Sequence, residues 1–281
     1  MIVLHTKDSR LVVDEECGFT ITSWEYKGIE RLVFDRARIA MGKTSGIPIL
    51  FPTPNRIKEG TFVFEGQRYQ GFMHGRVRFE RFTVLQQTAT TCKGAFCCRE
   101  GNRVYETFPF LFTLTIEIVL GEKGISWHFE IENQDDKHLP FGIAIHPYLK
   151  KLGPSQIKCS AEYVMENDND LCPLGSLGDS ALLQAIDVEE TDLDLVFYAK
   201  EHAVVTEFFT GGACYRLFGS EDFHHTVIYT PRQEPFVCIE PQSCSTDSIN
   251  LYSHGFSKLS GLQILSPGEK KKELIAIELG E

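Results

Sequence analysis

Long apolar runs are missing from this sequence. No stretch of its 281 residues approaches the about 18–20 consecutive apolar positions of a spanning helix, so no membrane-crossing helix is expected. Met1 to Arg10 contains Asp8 and lacks a cationic segment followed by an apolar core, which argues against a secretory signal peptide. Positive charge is in short supply. Twenty-eight Lys and Arg stand against 39 Asp and Glu, a formal net charge of −11. That balance disfavours an even basic coat for DNA or RNA and leaves room only for a local basic pocket. The cysteines number nine, with Cys97 and Cys98 adjacent and no Cys-x-x-Cys pair. An odd set without metal-ligand spacing reads as mostly reduced thiols in a cytoplasmic protein.

Several chemical fingerprints are absent as well. There is no phosphate loop, no dinucleotide-binding glycine pattern and no Gly-x-Ser-x-Gly nucleophile elbow. His224 and His225 are adjacent, so in a strand they point to opposite faces and share one ion poorly. Asp168-Asn169-Asp170 lacks the glycine and closing glutamate of a calcium loop. Neither a metal nor an organic cofactor is expected.

What is abundant is alternation. From Ile125 to Glu132 the odd positions are apolar and the even ones polar, which predicts a half-buried strand. Phe110 to Leu120 reads as its partner across a Gly121–Gly124 turn. Further strands are predicted over Ile2–Leu4, Leu11–Val13, Phe19–Trp24, Arg31–Phe34, Arg78–Leu85, Thr88–Arg99, His202–Phe208, Tyr215–Phe218 and Leu274–Leu279. Thr61 to Tyr69 predicts two strands meeting at Gly66. Helical periodicity is nearly missing; Ser180 to Val188 is the one stretch read as a helical turn or two. Many short strands without crossover helices predict an all-β fold, a large antiparallel β-sandwich. At about 150 residues per domain the length suggests two units, but sandwiches often exceed that size. The polar Glu166–Asp170 stretch is read as a surface loop, so residues 1–281 are taken as one domain.

Compact polar motifs punctuate the strands. They are Asn55-Arg56-Ile57 with Gly60 and Phe62, His74-Gly75, His146-Pro147-Tyr148, Asp194 with Phe197, and Glu240-Pro241. In this order and spacing the chain resembles the aldose 1-epimerase, or galactose mutarotase-like, family, whose fold is a large antiparallel β-sandwich. The resemblance implies an isomerase of carbohydrate metabolism with Glu240 as catalytic base and His146 as catalytic acid. It also implies that Arg56, His74 and Asp194 bind the sugar. Asp192 competes with Asp194, because residues two apart in a strand share a face.

The residue types suit that chemistry. Opening a cyclic hemiacetal requires removal of the anomeric hydroxyl proton and delivery of a proton to the ring oxygen. A carboxylate and a histidine with tuned pKa values do both, and no metal, nicotinamide or covalent intermediate is needed. The expected partner is therefore a small sugar or sugar phosphate. Two alternatives stay open. Arg76 and Arg78 beside His74 suit a phosphate, which suggests a hexose-6-phosphate 1-epimerase. A non-catalytic carbohydrate-binding protein on the same fold is the other.

Overall fold

The computed structural model describes residues 1–179 and 185–280, and all counts of elements below refer to those residues. Two large antiparallel sheets dominate. The nine-stranded sheet runs, in spatial order, through Ile186–Asp187, Ser155–Cys159, Thr206–Thr210, Ala213–Gly219, Lys270–Gly280, Gly124–Asn133, Phe112–Gly121, Thr91–Cys98 and Thr83–Gln87. The second sheet runs through Pro173–Asp179, Tyr163–Asn167, Asp194–Tyr198, His225–Tyr229, Phe236–Gln242, Ala144–Ile145 and Ile49–Leu50. Tyr148–Lys150 also pairs with Phe236–Gln242 in this sheet. A four-stranded sheet near the N-terminus, a hairpin of Thr61–Phe64 with Gln67–Gln70, and a two-stranded sheet of Leu139–Phe141 with Gln263–Leu265 complete the β-structure.

Alternation explains the packing. In Gly124–Asn133, Ile125, Trp127, Phe129 and Ile131 are buried, while Ser126, His128 and Glu130 stay at least partly exposed. Phe112–Gly121 repeats the pattern in register, with Leu114 opposite Ile131 and Ile116 opposite Phe129. One continuous cluster of buried apolar side chains draws on both large sheets and extends from Ile2 to Leu279. The fold is thus the large antiparallel β-sandwich expected, and its helices are short, spanning four to six residues. None is long and apolar enough to cross a membrane.

Some local expectations need correction. Arg78–Leu85 is not one strand: Val77–Phe79 forms a 3-10 turn and pairing starts at Thr83. Arg31–Phe34 contributes only an isolated bridge at Leu32, because Arg31 is buried and turned to the Tyr215 hydroxyl and the Tyr26 carbonyl. Of the stretch read as helical, residues 180–184 lie outside the described residues. Ile186–Asp187 is a strand paired with Ser155–Cys159. The Glu166–Asp170 stretch lies at a tight hairpin connection, where the Asp168 carboxylate accepts from the backbone N–H groups of Asp170 and Cys172.

Candidate active site

Strand register alone brings the two central side chains together. Ala144 lies opposite Gln242, and Tyr148 lies opposite Cys238. Continued between them, that antiparallel register sets His146 across from Glu240. Residues directly opposite in a sheet project to the same face with close Cβ atoms. Here His146 Nε2 stands 3.2 Å from Glu240 Oε1. The paired strand is interrupted between Ile145 and Tyr148, at His146-Pro147. On the other side of the central strand Pro241 lies opposite Thr226.

The neighbouring strands complete the wall. Val227 is opposite Glu240, and Tyr229 is opposite both Cys238 and Asp194. Asp194 therefore points to the same side of the sheet as Glu240, two strands away. Its carboxylate accepts from Arg56 Nη2 at 3.0 Å. Asp192 precedes the strand, is exposed and does not line the cavity, so of the two it is Asp194 that faces it. Arg56 is braced in turn by Asn55, whose Oδ1 accepts from the Arg56 backbone N–H at 2.8 Å and from Nη1 at 3.3 Å.

His74 arrives from a loop with unusual backbone. Both His74 and Gly75 have positive φ, 64° and 65°. A Cβ at position 75 would sit 1.8 Å from the Phe51 carbonyl oxygen, so the glycine allows the loop to lie against that backbone. The His74 ring then meets the His146 ring edge-on, centroids 5.4 Å apart. On its other side His146 stacks on Tyr148 at 4.8 Å with an interplanar angle of 4°. Tyr148 is held by a 2.6 Å hydrogen bond with Thr44.

These side chains surround a cavity of about 270 Å³. All five residues singled out from the sequence, Arg56, His74, His146, Asp194 and Glu240, line it. Sequence reasoning passed over Arg38, Thr44, Met73 and Tyr229, which line it too. It also missed Gln242, whose Nε2 donates to Glu240 Oε2 at 3.1 Å. Gln242 had a signal, since residues two apart in a strand share a face. Arg38 had none, because it belongs to a short helix, Arg36–Ala40, outside any alternating pattern. Arg76 does not line the cavity; its guanidinium stacks over Phe72, 4.9 Å from the ring centroid. A larger cavity of about 610 Å³ opens beside the Lys270–Gly280 strand, but it contains no histidine, and its Arg216 is paired with Glu278 at 3.3 Å.

Electrostatics sets the pair apart. Glu240 is 2% exposed, and burial pushes its pKa well above the ordinary carboxylate value. The nearby Asp194 charge pushes the same way, while Gln242 and Arg56 oppose. Burial lowers His146 from 6.5 to about 3, opposed by a backbone hydrogen bond and aided by the charges of Arg78 and Arg38. His74 is also pressed well below 6.5, by burial first and then by His146. Both members of the central pair thus resist carrying charge alone. Burial therefore favours the state in which the pair together holds one proton. Neutral glutamic acid with neutral imidazole, and carboxylate with imidazolium, differ only by transfer of that proton across the contact.

Fold and pocket define a large β-sandwich in which a buried Glu240–His146 contact lines a polar cavity of about 270 Å³. The family model of aldose 1-epimerase matches residues 1–278, and the chain belongs to that family. Among solved structures, a galactose mutarotase-like protein from Clostridium acetobutylicum superposes with a TM-score of 0.87 at 17% identity, covering 99% of this chain and 94% of that one. A galactose mutarotase-like protein from Lactobacillus casei gives 0.83 at 19% identity and covers 100% of both. Galactose 1-epimerase from Lactobacillus acidophilus gives 0.75 at 14% identity, covering 99% and 93%. At these identities the likeness establishes the fold. The protein YihR of Escherichia coli is 28% identical over 112 residues, which span 36% of this chain and 35% of YihR.

Proposed function

We propose that this chain, acting as a single catalytic unit, interconverts the α and β anomers of an aldose. The carrying observation is the 3.2 Å contact between His146 and Glu240 on the floor of the cavity. In the cyclic sugar, the Glu240 carboxylate takes the proton from the anomeric hydroxyl while the protonated His146 gives one to the ring oxygen. The C1–ring-oxygen bond breaks, and the open aldehyde rotates about C1–C2. The ring hydroxyl then attacks the other face of the carbonyl, and both protons return. Each cycle leaves the pair as it began, so the reaction needs no co-reactant.

Arg56 donates to sugar oxygens, and Asp194 accepts from hydroxyls, each fixed by the other. His74 packs edge-on against His146 and offers a buried Nδ1 that has no partner among the described residues. The reactive tautomer is carboxylate with imidazolium, which differs from the neutral pair only by transfer of one proton across the 3.2 Å contact. The test is anomer exchange by NMR on freshly dissolved sugars, across neutral and charged hexoses and pentoses. Acceleration over buffer for at least one sugar is expected. Rates equal to buffer across the panel contradict the reading.

A further inference from the structure

Backbone strain gathers at the turn that carries Arg56. Asn55, His74 and Asp247 have positive φ, at 61°, 64° and 54°, a conformation that costs any residue with a side chain. All three are bonded around that turn. The His74 N–H donates to the Asn55 carbonyl at 2.8 Å, and the Asp247 N–H donates to the Arg56 carbonyl at 3.0 Å. Asp247 stands just before the short helix Ser248–Ser253, where an aspartate ordinarily caps the free N–H groups of its own helix. Its carboxylate makes no such cap. Oδ1 instead accepts from the Lys58 backbone N–H at 3.1 Å. Asp247 thus grips the turn on both sides of Ile57, at the Arg56 carbonyl and at the Lys58 N–H. Asn250 fixes the grip. Its Nδ2 donates to the same Oδ1 at 2.7 Å and to the Thr61 carbonyl at 2.9 Å, and its Oδ1 accepts from the Val63 N–H at 3.1 Å. Asp247 is buried, and neither it nor Asn250 lines the cavity.

We propose that Asp247 is a positioning residue that acts through Arg56, with Asn250 holding its carboxylate in place. This rests on the anomerase reading and adds to it two residues outside the cavity. The Arg56 guanidinium is held at its tip by Asp194 and Asn55. A tip contact fixes a long side chain only if its Cα is fixed too. Arg56 lies outside every strand, so the Asp247 grip does for its backbone what a ladder does elsewhere. The strained φ and the forgone helix cap are both accounted for by this role. Misplacement by about 1 Å, caused far from the chemistry, can cost as much as about 10²-fold in rate.

Asp247→Gly is the direct variant. Glycine takes the left-handed backbone without strain and keeps the N–H to the Arg56 carbonyl, while the carboxylate is gone. Asp247→Asn keeps an acceptor oxygen and is the conservative control. Near-UV circular dichroism establishes native packing in both. In the NMR anomer-exchange assay, Asp247→Gly is expected to lower kcat/KM about tenfold, chiefly through KM, and Asp247→Asn to stay within about twofold of the parent. The glycine change made on top of Arg56→Ala is expected to cost nothing further, since its effect passes through Arg56. The Arg56 side-chain N–H signals in ¹⁵N NMR, assigned by their loss in Arg56→Ala, report placement without turnover. They move to free-arginine positions in Asp247→Gly and hold in Asp247→Asn. An equal loss of kcat/KM on both Arg56 backgrounds, or Arg56 signals unmoved by Asp247→Gly, overturns the proposal and leaves the anomerase reading intact. A parent that turns over no sugar, with Arg56 signals that collapse in Asp247→Gly, keeps the positioning role and discards the anomerase.

Discussion

At the scale of single residues, Asp194 and Asp192 separate positioning from mere proximity. Asp194→Ala removes the carboxylate that holds Arg56 at 3.0 Å, so a sugar loses alignment with both proton-transfer groups. A rise in KM together with a fall in kcat of about tenfold is expected, and Asp192→Ala leaves both unchanged. The reverse pattern in steady-state kinetics reassigns the role. Gln242 anchors one Glu240 oxygen, and Gln242→Leu removes the N–H that favours the carboxylate, which lowers kcat with little effect on KM. The pH profile follows from the pair. Ordinary values of 4.5 and 6.5 give a narrow bell in which Glu240 makes the acid limb. Burial inverts the order. The acid limb of kcat/KM moves toward about 3 with His146, and the alkaline limb belongs to the raised Glu240. An acid limb displaced below 4.5 toward about 3 is expected, and an acid limb left at 4.5 contradicts it.

At the scale of elements, strands of the nine-stranded sheet were legible because half-buried strands alternate, as Ile125–Glu132 does so plainly, whereas the strands of the other large sheet, which carry the site, were not. Phe236–Gln242 was harder: all seven residues are buried, so alternation disappears and Glu240 stands out only as a charge in an apolar run. The pairing of His146 with Glu240 was not readable from either segment alone. It comes from a cross-strand register between parts of the chain about a hundred residues apart. The Arg78–Leu85 error has a local cause, since Arg78 turns inward to backbone carbonyls instead of joining a strand. The His74 loop makes a sharp prediction. Gly75→Ala forces a methyl onto the Phe51 carbonyl and a side chain into positive φ, at an expected cost of about 2–4 kcal/mol. Chemical denaturation measures it, and a stability loss under about 0.5 kcal/mol contradicts the packing described.

At the scale of the whole molecule, buried histidines tie folding to pH. His74, His146 and His225 are held neutral by burial, and His225 lies at about 3. An unfolded chain protonates each near 6.5, so their contribution to stability is present above 6.5 and is lost as pH falls toward 3. Glu240 has the opposite sign. Its raised pKa favours the folded state in acid and costs stability as pH rises above 4.5. His225 lies outside the cavity, its Nε2 bonded to the Leu259 carbonyl at 2.9 Å. His225→Gln is therefore expected to flatten the fall in stability between pH 6.5 and 4.5 by up to about 1.4 kcal/mol per pH unit. Denaturant midpoints at several pH values read the difference, and identical slopes for variant and parent refute it.

In the proposed reaction Glu240 and His146 together carry the proton transfers. The most direct measurement is the NMR anomer-exchange rate of folded Glu240→Gln, with His146→Asn alongside and near-UV circular dichroism to establish native packing. Glutamine keeps the size and the Gln242 neighbourhood but cannot take a proton. A fall in kcat of about 10²–10⁴-fold is expected for each variant, and a double variant whose loss is well short of the product. Near-normal turnover in a natively packed Glu240→Gln protein contradicts it.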